Sequence, residues 1–262
     1  MYKNDLKNYF NKNNKRLIHK WRHYFDIYDH HFHQYRGKDV VVLEIGVSQG
    51  GSLQMWKEYF GPKAKIYGID IDSRCKKLEE ENIQVFIGSQ SDRLFLSEIK
   101  KQIPPIDILI DDGGHMMDQQ RISFEELFGY IKSDGIYLCE DLHTSYLLRF
   151  GGGHKRRGTF VEYSKNFIDY LNADHSEQRS LKSNYFTKSV NSVHYYEGML
   201  IVKKSPKTKP ASHLRFGNES FPNLNAVNKI FMYEKVFYKM LYGVNLLLRF
   251  LGLPTIKHNG SF

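Results

Sequence analysis

The sequence predicts an α/β fold: a doubly wound, mostly parallel seven-stranded sheet with helices on both faces. Three observations predict it. Short apolar runs alternate with helix-length segments from residue 40 to residue 139. The runs are nearly continuous in Val, Ile and Leu, as in strands buried on both faces. Acidic residues and glycines cluster directly after several runs, at the carboxyl edge where open parallel sheets hold ligands.

The elements follow in order. Residues 5–36 read as one helix, with Leu17, Trp21, Tyr24, Phe25, Tyr28, Phe32 and Tyr35 spaced mostly by three and four, ending at Gly37. Residues 40–45, 65–70, 84–87, 106–110 and 135–139 read as the parallel strands. Helices are expected near 52–60, 92–101, 117–131 and 159–173. Residues 192–196 and 199–203 flank Glu197-Gly198 and read as an antiparallel hairpin. Proline-rich residues 204–222 read as a linker. Beyond them Ile230, Phe237, Val244 and Leu251, with Tyr233, Met240 and Leu247, repeat every seven residues as a helical stripe. The division is therefore an N-terminal helical cap (1–38), a sheet domain (39–204), and a linker with an amphipathic helix (205–262).

The net charge of +9 is unevenly spread. Residues 1–38 carry +6 and residues 200–262 carry +8, while 39–199 carry −5. An acidic centre with basic ends argues against one uniformly basic nucleic-acid-binding body. Cys75 and Cys139 match no metal or redox spacing, the start of the chain has no signal-peptide core, and no run suits a membrane span. A reducing, cytoplasmic compartment is the expectation.

The turn after the first strand reads Glu44-Ile45-Gly46-Val47-Ser48-Gln49-Gly50-Gly51-Ser52. A dinucleotide fingerprint would have glycine where Ser48 stands. An acidic residue before the first glycine suits a cofactor with a cationic amino-acid end, and backbone N–H groups at a helix start hold a carboxylate. S-adenosylmethionine has both groups. Glu44, Gly46, Ser48, Gly51 and Ser52 are the candidates there. Asp70, ending the second strand, suits the ribose hydroxyls, with Asp72 as the weaker alternative. Gln90 and Asp92, after the third strand, suit the adenine amino group.

The fourth strand ends in Asp111-Asp112-Gly113-Gly114-His115 and the fifth in Glu140-Asp141. If these strands are neighbours, Asp112, Glu140 and Asp141 converge, and carboxylates so close need a cation. Oxygen ligands select a hard ion, Mg²⁺ first, with Mn²⁺ or Ca²⁺ as alternatives. The two glycines let His115 face the same site, and Asp111 is grouped with the cofactor residues. His143 is an alternative base. The competing account is a solvated acidic loop or helix caps.

Lys20-Trp21, the run from Leu43 to Leu53, Tyr67-Gly68-Ile69-Asp70-Ile71-Asp72, Ile110 to His115, and Cys139-Glu140-Asp141-Leu142-His143-Thr144 together resemble one family. They are similar to the class I S-adenosylmethionine-dependent methyltransferases of the macrolide sugar O-methyltransferase type, with bacterial relatives in polysaccharide and natural-product clusters. The resemblance covers about residues 18–204. It implies a Rossmann-like fold, Mg²⁺ on Asp112, Glu140 and Asp141, and His115 as general base. The implied activity is transfer of a methyl group to a hydroxyl of a sugar, nucleotide sugar or glycosylated metabolite. Competing readings are an RNA methyltransferase, a non-catalytic module of the same fold and an NAD-dependent oxidoreductase. Trp21, His23 and Tyr24 are expected to lie over the site. The loop 146–159, with Lys155-Arg156-Arg157, is expected to close over substrate or meet a phosphate. A homo-oligomer is expected, and peripheral membrane contact is a further role for the basic C-terminal helix.

Overall fold

A computed structural model describes residues 5–206, 216–217 and 232–256. The chain divides into two compact units, Met1–Pro210 and Ala211–Phe262. The first holds a sheet in the order β3-β2-β1-β4-β5-β7-β6. Its strands are β1 (Val41–Ile45), β2 (Lys65–Asp70), β3 (Ile83–Ile87), β4 (Ile106–Asp111), β5 (Ile131–Cys139), β6 (Val190–Tyr196) and β7 (Met199–Lys204). The first five pair in parallel, and β7 runs antiparallel between β5 and β6. The strand order reverses between β1 and β4, and the ligand crevice of such sheets lies at that switch point.

Both β1 and β4 are buried along their whole length, which explains their unbroken apolar runs. Alternation sorts their side chains between two cores. Val42, Ile108, Ile110, Ile136 and Leu138 pack on one face with Tyr24, Tyr28, Phe32 and Trp56. Leu43, Leu109, Tyr137 and Cys139 pack on the other with Phe124, Phe160 and Phe167. The first face is covered by α1 (Asp5–Lys12), α2 (Tyr24–Phe32) and α3 (Gly51–Phe60). The second carries α4 (Arg93–Gln102), α5 (Met117–Leu127), α6 (Phe160–Leu171) and the short α7 (Tyr185–Ser189). Leu6, Tyr24, Tyr28 and Phe32, from the expected N-terminal cap, therefore share the core of the sheet.

The main correction to the sequence reading lies at the N-terminus. Residues 5–36 are not one helix: α1 stops at Lys12 and α2 starts at Tyr24. Asn13 accounts for the break, since its side chain donates to the Arg16 carbonyl at 2.8 Å and accepts from the Lys15 N–H at 3.1 Å. Such local bonds compete with the helix ladder. Residues 13–21 form an extended strap, on which Leu17 and Trp21 are exposed rather than part of a buried stripe. The helix expected at 117–131 also ends early, and β5 begins at Ile131.

In the second unit, α8 (Met232–Phe250) is the expected C-terminal helix. Its Phe237, Met240, Val244 and Leu247 are exposed. Ile230 and most of the expected linker lie outside the described residues. Among the described residues, no helix is long and apolar enough to cross a membrane.

Candidate functional site

A cavity of about 420 Å³ opens at the switch point. Its floor is the turn from β1 into α3. Gly46 has φ +95°, and a Cβ there would lie 2.1 Å from the Asp112 carbonyl oxygen, so a side chain would drive the β1 and β4 ends apart. Asp70 braces this turn: Oδ2 accepts from the Val47 and Ser48 N–H groups, each at 2.9 Å, and Oδ1 accepts from the Asp72 N–H at 2.9 Å.

Of the residues expected to bind the cofactor, Gly46, Ser48, Ser52, Asp70 and Gln90 line the cavity, whereas Glu44, Gly51, Asp92 and Asp111 do not. Glu44 is wholly buried and accepts from the Ser52 hydroxyl at 2.6 Å. Gly51 lies under the strap, where a Cβ would come within 2.3 Å of the Leu17 carbonyl oxygen. Asp92 caps α4 through the Leu94 and Phe95 N–H groups. Asp72 is held by Arg74. Gln90 donates to Asp111 Oδ1 and to Ser123 Oγ, each at 3.0 Å, and accepts from the Gly114 N–H at 2.8 Å. Its amide thus fixes the Asp111–Gly114 loop, and its hydrogen-bonding groups are committed there. Burial pushes the Asp111 carboxyl up to about 7.

The β4 and β5 ends are adjacent, with Asp111 in register with Cys139. This places Asp112 beside Glu140 and Asp141. His115 and Asp141 both adopt the left-handed conformation, φ 56° and 54°, which turns them back toward each other. His115 Nε2 lies 3.6 Å from Asp141 Oδ2 and 3.9 Å from Asp112 Oδ1. One ligating atom from each of Asp112, His115 and Asp141 fits within 4.8 Å of the other two. Glu140 turns away from this group. Its Oε1 accepts from the Tyr28 hydroxyl at 2.7 Å and from the Lys20 ammonium at 2.8 Å. Burial and the Asp112 charge raise its pKa, against the pull of Lys20 and Tyr28.

Lys20 is the site residue that sequence reasoning missed. Its ammonium also lies 2.5 Å from Asp112 Oδ2 and 3.5 Å from Glu44 Oε1. Burial alone would lower its pKa, but the three carboxylates outweigh that and hold it well above the usual lysine range. Tyr24, one of the residues expected to lie over the site, has its hydroxyl 3.0 Å from Asp141 Oδ1 and 2.9 Å from the Gly198 carbonyl. His143 is half-exposed, packs on Trp21 at 5.6 Å between ring centroids, and is not part of the cavity wall. The loop 146–159 is tied back by Gly152 N–H to the Leu147 carbonyl and Gly153 N–H to the Ser145 carbonyl.

No family model matches the sequence. The demethylmacrocin O-methyltransferase of Streptomyces fradiae is 36% identical over 188 residues, 68% of this chain and 47% of that protein. The mycinamicin VI 2''-O-methyltransferase of Micromonospora griseorubida is 37% identical over 190 residues, again 68% and 47%. A solved structure of the MycE methyltransferase from the mycinamycin biosynthetic pathway, in complex with Mg, SAH and mycinamycin VI, superposes with a TM-score of 0.68. It is 32% identical and covers 78% of this chain and 53% of that one. The chain is a homologue of the macrolide sugar O-methyltransferases. Its sheet is the class I methyltransferase fold of that family. The chain spans about half the length of the curated relatives it matches.

The residues present fit a divalent ion. Asp112 and Asp141 offer hard oxygen donors beside the His115 nitrogen, all three half-buried and facing the cavity.

Proposed function

We propose that this protein is a metal-dependent O-methyltransferase that moves the methyl group of S-adenosylmethionine to a hydroxyl of a sugar or glycosylated metabolite. The observation that carries the reading is the Asp112–His115–Asp141 group on the rim of the switch-point cavity. Homology to enzymes named for sugar O-methylation supports the reaction class.

Gly46, Ser48, Ser52 and the Asp70 side of the cavity would hold the cofactor. Asp112 and Asp141 would hold Mg²⁺ or Mn²⁺, with Glu140 behind them. When bound, the ion lowers the pKa of a coordinated hydroxyl, and the cofactor supplies an electrophilic sulfonium methyl. His115 Nε2 takes the proton of the acceptor hydroxyl, and the two carboxylates beside it stabilise the imidazolium that results. The rigid turn of β1 into α3 and the Gly113-Gly114 bend fix where the two reactants meet. The buried free thiols of Cys75 and Cys139 fit a reducing compartment, and a cytoplasmic location is part of the proposal.

Calorimetric titration tests this directly. S-adenosylhomocysteine binds and NAD does not, and Mg²⁺ binding is lost in Asp112→Asn. Binding of NAD, or Mg²⁺ affinity unchanged by Asp112→Asn, overturns the reading.

A further inference from the structure

No step of the methyl-transfer reading uses Lys20, yet it is among the most completely enclosed charges in the fold. Its side chain is 3% exposed. Its three carboxylate partners come from three strand ends: Glu44 from β1, Asp112 from β4 and Glu140 from β5. Lys20 itself belongs to the strap, 92 residues before Asp112 and 120 before Glu140. Glu44 and Glu140 are at most 1% exposed, so water does not neutralise them, and an unpaired carboxylate so placed is strongly destabilising. The ammonium therefore joins the buried pair to Asp112 Oδ2, while Asp112 Oδ1 and Asp141 lie toward His115 at the cavity.

The strap needs such an anchor. Leu17, Ile18, His19 and Lys20 form one wall of the cavity. Its other polar tether to the sheet domain is Arg16, which donates to the Leu78 carbonyl at 2.8 Å and lies 3.6 Å from Glu80 at the surface. The strap backbone runs so close to Gly51 that the wall and the start of α3 touch with no side chain between them.

We propose that Lys20 is a positioning residue: its ammonium clamps the strap onto Asp112 and the buried Glu44 and Glu140, and the clamp holds the wall of the cofactor cavity in place. The cofactor assignment of that cavity rests on the proposed function; the clamp itself does not. Opening the strap lowers cofactor affinity by the factor by which the closed population falls. The affected fraction also governs how fast the strap amides exchange with solvent.

The test uses the full chain, wild type against Lys20→Met and against the double variant Lys20→Met, Glu140→Gln. The double variant removes one buried charge together with its partner, so it remains informative if the single variant does not fold. Hydrogen exchange is read at residues 13–21 without any cofactor, and S-adenosylhomocysteine affinity is read by calorimetry. Both variants are expected to lose strap protection by about tenfold or more, while the β1 and β4 amides stay protected. Affinity falls by a matching factor, and the double variant recovers thermal stability without recovering the strap. Wild-type strap protection in a folded variant, or loss of protection spread evenly over the sheet, overturns the clamp. If the wild-type protein binds no S-adenosylhomocysteine, the cofactor reading fails, and the exchange data alone still decide the clamp.

Discussion

On the β1–β2–β3 side of the sheet edge, Asp70 accepts three backbone N–H groups and Asp92 accepts two. On the β4–β5 side, Asp112 and Asp141 meet side chains instead: Lys20, Tyr24 and His115. All four are acidic residues at or after strand ends, and all four read from the sequence as ligand contacts. A carboxylate saturated by amides of its own chain is committed to the shape of a turn. One that faces a titratable ring and an open cavity keeps lone pairs for an ion or a proton. The left half of the edge is thus a scaffold, and the right half is where the chemistry is expected.

The strongest way to break that contrast is His115→Ala. Turnover on a sugar acceptor should fall by roughly 10²–10⁴-fold, the usual contribution of a general base, with S-adenosylhomocysteine affinity nearly unchanged. Steady-state kinetics and calorimetry on the same preparation check this, and a parallel collapse of affinity would remove the distinction between the halves. Asp70→Ala should do the reverse. Losing an acceptor shared by three amides costs about 1.5–3 kcal/mol of stability, measurable by denaturant titration, and weakens cofactor binding. A variant that lost only kcat would place Asp70 among the reacting groups.

The smallest effect sharpens the comparison by a control outside the cavity lining. His31 is 1% exposed and lies 2.9 Å from the Tyr196 hydroxyl. Burial first, then neighbouring His194 and His30, lower its pKa to about 3. The unfolded chain therefore takes up this proton before the folded one does. The stabilisation is complete above the unfolded value of about 6.5 and is lost as pH falls from there toward the folded value, by at most about 1.4 kcal/mol per unit. Relative to His31→Asn, wild-type stability should show that extra slope in urea titrations between those limits. Equal slopes would mean that the folded protein protonates His31 freely.

The sheet was legible because β1, β4 and the second half of β5 are buried on both faces, so burial writes itself into consecutive residues. Asp112 and His115 were legible because Gly113-Gly114 marks a bend directly after a strand. Lys20 was not. A three-and-four spacing of apolar and aromatic residues spans residues 17–35 whether or not the chain is helical throughout, and it assigned Lys20 to a helix. The two adjacent asparagines, Asn13 and Asn14, were the available sign of a break. Glu44 and Gln90 are instructive in the same way. Their positions along the chain were read, but which way each side chain points depends on partners such as Ser52 and Ser123, which no local pattern specifies.

The contacts that close the site also set when it can exist. Tyr24 reaches the carbonyl of Gly198, a separation of 174 residues. During synthesis at about 5–20 residues per second, α2 therefore waits roughly ten to thirty seconds for this partner to be made. The parallel strands β1 to β4 are complete well before that. Contacts so remote in sequence are slow to form, which makes this rim the last part of the sheet edge to assemble on a nascent chain. Until Glu140 is made, 120 residues after Lys20, the clamp is incomplete and the binding crevice lacks an anchored wall.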